Sequence, residues 1–355
     1  MAKPLYRLGR LEGDGIGPEI VPIAIKVADA ALASAGASVE WVPLPVGLAA
    51  IKSTGSAIPA STVEALGRLD GWVLGPHDNA SYPPEHRRTL NPSGTLRHHF
   101  DLYANIRPAK AFPGTSSLAP GIDLVVVREN TQGFYADRNL HTGSGEFMPT
   151  ADVAMSLSVF TRPSVERIIR AGFEMARARR RKLTVVHKAN VLPLTTGMFL
   201  EVAHEVAPEF PDVAVEDFHV DAAAARLIRR PADFDVVVTE NMFGDILSDP
   251  AGELAGSLGI APSINASGEV AMAQAVHGAA PDIAGKGIAN PTALVLSTAM
   301  LLNWLGRRHA DESLLIASNA MENAVVEALA GGMSTPDLDG RAGTAEFGEA
   351  ILRVL

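Results

Sequence analysis

Short runs of uninterrupted apolar residues alternate along this chain with longer stretches in which apolar residues recur every three or four positions. The short runs fall at residues 5–12, 71–75, 123–130, 182–190 and 234–240, and each ends in glycine or in polar or charged side chains. Runs of this length, apolar without alternation, predict strands buried on both faces. Ile20, Ile23, Ala24, Val27, Ala28 and Ala31 keep helical spacing, as do Val165, Ile168, Ile169, Gly172, Met175 and Ala176 within a helix expected from about Arg162 to Arg181. Residues 213–220 alternate apolar and polar with strand period, and Thr292 to Trp304 predicts a strongly apolar helix. Strands alternating with helices predict an α/β fold. Residues 76–95, rich in Pro, Ser, Asn and Gly, predict a loop, and Asn139 to Thr150 a mobile stretch.

Composition narrows the class. With 355 residues, 47% apolar and 20% charged, the chain is long enough for two domains around a large core. A net charge of −10 argues against a nucleic-acid or membrane-surface partner, and the one basic run, Arg177 to Lys182, reads as a helix terminus. Without cysteine, disulfides, thiolate metal sites and a cysteine nucleophile are excluded. No apolar run approaches a membrane span and the first residues lack a signal-like apolar segment, so the expectation is a cytoplasmic protein.

The chemistry gathers at strand ends. The run 236–240 leads into Asp245 and Asp249, four residues apart, which on a helical turn after Gly244 share one face. Two such carboxylates suit Mg²⁺ or Mn²⁺. The alternative is that Asp249 caps a helix beginning at Pro250, with Asp245 a solvated turn residue. Arg97 is expected to open a helix, Arg107 to close an extended piece before Pro108, and Arg128 to end the 123–130 strand. Three arginines converging would bind a polyanion through their planar forks; separate surface ion pairs are the equal alternative. Tyr135, in a glycine-containing turn, could present a phenol. Lys188, at the end of its strand, could serve as a base if packed against apolar groups. Asp221 ends the alternating strand. Gly13-Asp14-Gly15-Ile16-Gly17-Pro18 stands between strand and helix, but its third glycine comes one residue early for a Rossmann fingerprint, which excludes that standard site.

These segments, taken with Asp101–Pro108, Val127–Asn130, His187–Leu192, Glu240–Asp249 and His277–Pro291, resemble the metal-dependent β-decarboxylating dehydrogenases over nearly the whole chain. That group includes isopropylmalate, isocitrate, homoisocitrate and tartrate/D-malate enzymes. The resemblance implies a two-domain isopropylmalate-dehydrogenase-like α/β fold with a non-Rossmann nucleotide site. Residues 1–102 with 256–355 would form the nucleotide domain, and 103–255 the substrate, metal and dimerisation domain. It further implies a homodimer with shared active sites. Asp245 and Asp249 would bind the metal with Asp221 of a second copy, while Arg97, Arg107 and Arg128 hold malate carboxylates. Lys188, also of the second copy, would act as the base and Tyr135 as the acid, with Asp221 counted among the catalytic residues.

His277, Gly278, Asp282, Ile283 and Asn290 resemble the adenosine site, and a carboxylate at Asp282 implies NAD over NADP. Gln274-Ala275 departs from the Glu-Pro usual there. Ser93 and Gly94 stand before Arg97 where isopropylmalate enzymes carry leucines, and Asn91 and Ser93 stand where isocitrate enzymes carry Ser and Asn, in reversed order; these favour a malate with a polar or small 3-substituent, of isocitrate or homoisocitrate type. Isopropylmalate and tartrate/D-malate are the alternative substrates, and a non-catalytic regulatory subunit is the remote one.

Overall fold

The computed structural model describes residues 6–87, 91–135 and 139–355; positions 88–90 of the expected loop lie outside them. Among these residues the strands are, in chain order, β1 (Tyr6–Leu11), β2 (Val39–Pro43), β3 (Gly71–Leu74), β4 (Ala104–Lys110), β5 (Asp123–Glu129), β6 (Glu146–Thr150), β7 (Val153–Ser156), β8 (Lys182–His187), β9 (Ala214–His219), β10 (Val236–Thr239), β11 (Ile264–Ala266) and β12 (Ala271–Ala273). The chain divides into two compact units. One holds Met1–Phe100, Phe112–Leu118 and Gly256–Leu355, the other Asp101–Ala111 and Ala119–Ala255. The return of Phe112–Leu118 to the first unit has no counterpart in the sequence reading.

In the first unit the strands lie in the order β2-β1-β3-β12-β11. Pairing is parallel as far as β12 and antiparallel between β12 and β11. The glycine-rich turn after β1 is organised by Asp14. Its carboxylate, nearly fully buried, accepts from the Leu48 amide (2.7 Å), the Asp78 amide (3.1 Å) and the Tyr82 hydroxyl (2.6 Å). Asp14 therefore ties three segments together, which is a structural use of that residue. Glu19 accepts from the amides of Gly285 and Gly287, so the same turn also anchors the loop after His277.

The second unit carries β4-β5-β10-β8-β9, antiparallel between β4 and β5 and parallel beyond. Its strands show why unbroken apolar runs mean burial on both sides. Val125, Val127, Leu183, Val185, Val236 and Val238 point into one core with Ile168, Ile169 and Phe173 of the Arg162–Arg177 helix. Leu124, Val126, Val186 and Val237 point into the other, with Ala223, Leu227, Leu247 and Ala251 of helices Val220–Arg229 and Asn241–Ala255. Truncating one such valine or leucine would cost about 1–5 kcal/mol, depending on how far the site collapses.

Several local expectations are corrected. Arg97 sits in the last turn of helix Pro92–His99 and does not open it, because Asn91 is the N-cap and Pro92 takes the first helical position. Arg107 lies inside β4, which continues through Pro108 to Lys110. Asp221 is in the first turn of a helix instead of at a strand end. Asp249 does not cap a helix starting at Pro250; one helix runs from Asn241 to Ala255 with Pro250 inside it. Pro250 is exposed, so its ring and the backbone it disrupts lie toward solvent. The stretch expected to be mobile ends in β6, which pairs with β7 as an antiparallel ribbon in which Phe147, Met148, Val153 and Met155 are exposed.

Candidate active site

The register of β10 against β5 sets Thr239 beside Arg128. The chain then turns directly into the Asn241–Ala255 helix, whose first turns pass over the Arg128 side chain. Gly244, expected to be a turn, is helical; a Cβ there would meet Arg128 Cβ and Cγ at 2.7 Å. Absence of a side chain lets the guanidinium run beneath the helix and reach Asn241 Oδ1 through Nε (2.9 Å) and Nη2 (2.7 Å). The Asn241 amide is itself fixed by donating to the Gln132 carbonyl at 2.9 Å.

Asp245 is the hub of this cluster. Its Oδ1 accepts from Arg128 Nη1 and lies 3.1 Å from Arg107 Nη1, while its Oδ2 accepts from the Tyr135 hydroxyl. Arg107 Nη1 is also 3.6 Å from Asp249 and donates to Ser248 Oγ at 2.7 Å. One guanidinium nitrogen thus touches both aspartates, which puts the two carboxylates on the same helix face. Arg128 is 1% exposed and Arg107 6%, whereas Asp249 is about half exposed.

Burying two like charges together is costly, and the cost is visible. Burial, followed by the neighbouring Arg128 charge, lowers Arg107 to about 10. Partial burial, with Asp245 adding repulsion, raises Asp249 above the usual aspartate range. Such an arrangement, two buried cations against a pair of acids with one acid left facing out, suits anions at the arginines and a hard cation at the outward-facing carboxylate. Among the described residues no set of three acids or histidines could hold a metal ion. One copy of the chain therefore offers a divalent ion two carboxylates, a partial but chemically suitable donor set.

Lys188 and Asp221 form a second pair in the same unit. Lys188 follows β8 and its Nζ donates to Asp221, which opens the next helix after β9. That hydrogen bond holds Asp221 below the usual carboxylate range. Behind the pair, His187 Nδ1 accepts from the Ala189 amide (3.1 Å), so Nε2 carries the proton that meets Asp217 (3.0 Å). This fixes the chain direction just after the strand.

The first unit holds the remaining predicted residues. His277, Gly278, Ile283 and Asn290 line a cavity of about 390 Å³ with Ile16, Ala280 and Ile288. Asp282 is exposed and not part of the lining, although its neighbour Ile283 is. The sequence reading missed Ser257, Gly259, Pro336 and Asp337 on the same wall. Asp337 Oδ2 accepts from Ser257 Oγ (2.6 Å) and Asn290 Nδ2 (3.1 Å), so it braces the wall. No sequence signal near residue 337 announces this. Burial lowers the His277 pKa, and its Nδ1 faces the Gly278 carbonyl at 3.0 Å, which fixes the proton there. Nε2 is left as a sheltered acceptor with no hydrogen-bond partner. An apolar cavity with an orphaned acceptor fits a ligand carrying a planar amino group, such as an adenine.

Arg97 and Ser93 also belong to this unit. Ser93 Oγ donates to Gln274 Oε1 at 2.8 Å, and Arg97 Nη2 donates to the same oxygen at 3.2 Å. Asn91 Oδ1 accepts from the Gly94 amide at 2.6 Å, so this side chain is engaged in capping its helix.

The family sequence model for isocitrate/isopropylmalate dehydrogenase matches residues 7–351. The chain is 44% identical over 354 residues to a Thermus thermophilus protein named isocitrate/homoisocitrate dehydrogenase, covering 99% of this chain and 98% of the relative. It is 40% identical to a Methanocaldococcus jannaschii protein named 3-isopropylmalate/3-methylmalate dehydrogenase, covering 98% of each. A solved structure of isocitrate dehydrogenase from Methylococcus capsulatus superposes with a TM-score of 0.88 at 41% identity, covering 99% of both chains. Among the described residues no helix is long and apolar enough to cross a membrane.

Proposed function

The chain belongs to the isocitrate/isopropylmalate dehydrogenase family, and from that premise we propose that it catalyses the NAD-dependent, Mg²⁺- or Mn²⁺-dependent oxidative decarboxylation of a 3-substituted malate. The observation that carries this reading is the Asp245–Asp249 pair set against the buried forks of Arg107 and Arg128. When bound, the divalent ion would acidify the substrate hydroxyl and NAD would accept the hydride.

This chain's residues would do the rest. Arg107 and Arg128, held by Asp245 and Asn241, bind substrate carboxylates in a fixed geometry, so little ordering cost falls on binding. Arg97 is the third guanidinium expected to hold a substrate carboxylate. Asp245 and Asp249 offer oxygens to the ion, with Asp221 of a second copy as the third carboxylate. Lys188, which pairs with Asp221 and so comes from the same second copy, would accept the hydroxyl proton. Tyr135, its hydroxyl oriented by Asp245, returns a proton to the carbon that loses carbon dioxide. Ile228 and Ile246 are exposed on the helices that carry Asp221 and Asp245, and the β6–β7 ribbon exposes four more large apolar side chains. Exposed apolar surface beside the proposed ligands supports a homodimer whose two copies complete each other's sites.

Within the family, the relatives named for isocitrate and homoisocitrate support substrates of that type. The capping role of Asn91 removes part of the pocket argument for it, so Ser93 and the relatives carry the choice. The exposed carboxylate of Asp282 beside Ile283 supports NAD over NADP, because it would repel a 2′-phosphate. NADH formation by the purified chain with Mn²⁺, measured across isocitrate, homoisocitrate, 3-isopropylmalate, D-malate and tartrate, tests the reading. Turnover of isocitrate or homoisocitrate is the expected result. Silence across the panel with Mn²⁺ still bound would favour a regulatory subunit.

A further inference from the structure

Gln274 has no role in the reaction outlined above, yet it meets three residues that lie far from it in sequence. Its Oε1 receives hydrogen bonds from Ser93 and Arg97, and its Nε2 stands 3.5 Å from His77 Nε2. The register of β12 on β3 brings it there: Ala273 lies opposite Val73, so the residues just past both strands meet. The backbone of Gln274 is held at both ends. Its carbonyl accepts from Ser263 Oγ at 2.6 Å, and its amide donates to the Ser263 carbonyl at 3.2 Å. The residue is 8% exposed, so its amide has little freedom to turn away.

All three side chains in this group other than Arg97 are neutral. Gln274 and Ser93 carry no charge, and burial, with Arg97 adding repulsion, lowers His77 to about 3. A glutamate at position 274 would instead set a full negative charge against the guanidinium. A buried carboxylate so close would compete with a substrate carboxylate for the same fork.

We propose that Gln274 is a positioning residue for substrate binding: its neutral carbonyl oxygen orients Arg97 without cancelling its charge, and it holds the Ser93 proton. Ser93 then turns only acceptor lone pairs toward the substrate. A substrate carboxylate near this group must draw its attraction from Arg97 and not from the Ser93 hydroxyl. The proposal rests on the proposed function and refines which groups select the hydroxy acid.

Kinetics of the full chain with Mn²⁺ and NAD test it. Gln274→Glu is expected to raise the hydroxy-acid KM about tenfold, because it weakens an interaction present in ground and transition states alike. It should leave kcat within about twofold and the KM for NAD unchanged. Gln274→Met, similar in volume but without the acceptor, should raise the same KM by a smaller factor. An unchanged hydroxy-acid KM in both variants, with the wild type active, overturns the inference alone. A parallel rise in both KM values with a lowered melting midpoint also overturns it, since that is the signature of a purely structural residue. A wild type inactive on every hydroxy acid would remove the functional reading and this refinement together.

Discussion

Gly244 and Arg128 occupy one another's space: the helix passes so close over the arginine stem that a Cβ on Gly244 would lie 2.7 Å from two of its carbons. Those carbons are the first two of the side chain and cannot swing aside as its far end could. Gly244→Ala should therefore displace the guanidinium from Asn241 and Asp245. We expect a loss of about 1–3 kcal/mol in stability from overpacking. The substrate KM should rise with it, because the fork that grips a carboxylate is no longer aimed. Urea denaturation together with KM measurements checks this; an alanine variant indistinguishable from wild type in both would show that Arg128 is not held as described.

Asp249 offers a test with a definite sign. Its pKa is raised in the folded chain, so the folded state holds this proton more tightly than the unfolded state does. The resulting contribution to stability is present below the unfolded aspartate pKa and is lost as pH rises through the folded value. At neutral pH the ionised carboxylate is therefore a mild liability in the absence of a cation, and Asp249→Asn should melt at the same temperature or slightly higher. The same substitution should weaken Mn²⁺ binding by tenfold or more, on the order of one lost charged ligand. Calorimetric Mn²⁺ titration is the measurement. In the wild type, affinity should fall on acidification beginning above the pH range of an ordinary aspartate, because the proton competes earlier.

How far the sequence alone leads differs from element to element. The doubly buried strands were legible because Val125 to Val127 and Val236 to Val238 alternate between two cores, and both cores demand apolar side chains. The shared face of Asp245 and Asp249 was legible too, since spacing of four in a helix has one outcome. What was hidden is whatever depends on contacts across long separations. Gln274 meets Ser93 across 181 positions, and Asp14 meets Tyr82 across 68. No local pattern encodes such meetings. Gly244 misled for a related reason: glycine near a strand end usually signals a turn, but here it clears a path for an arginine from a neighbouring strand. Pro250 misled because proline normally starts or ends a helix, and the solvent-facing side of this one tolerates it.

Asp282 lies on an exposed turn outside the cavity lining, so a change of charge there should leave the fold intact. Asp282→Lys is expected to lower kcat/KM for NAD relative to NADP by about tenfold or more, through removal of the repulsion toward a 2′-phosphate. The melting midpoint should stay within a degree or so, as surface substitutions usually change stability by less than about 0.5 kcal/mol. An unchanged cofactor ratio would show that the loop after His277 does not face the adenosine ribose.

Sharing of the active site between copies can be separated from every other part of the reading by mixing two inactive variants. Lys188→Met removes the proposed base, and Asp245→Asn removes a proposed metal ligand while also loosening Arg128 and Tyr135. Each alone should lose activity by about a hundredfold or more while remaining dimeric by sedimentation. If Lys188 of one copy serves the aspartates of the other, a heterodimer places both lesions in one site and leaves the second intact. Random reassortment after mild unfolding makes half of the dimers mixed, so about a quarter of wild-type activity should return. If instead Lys188 and Asp245 of one chain served the same site, every site in every dimer would carry a lesion and mixing would restore nothing. The experiment reads the topology of the site directly, independent of which hydroxy acid is used to report it.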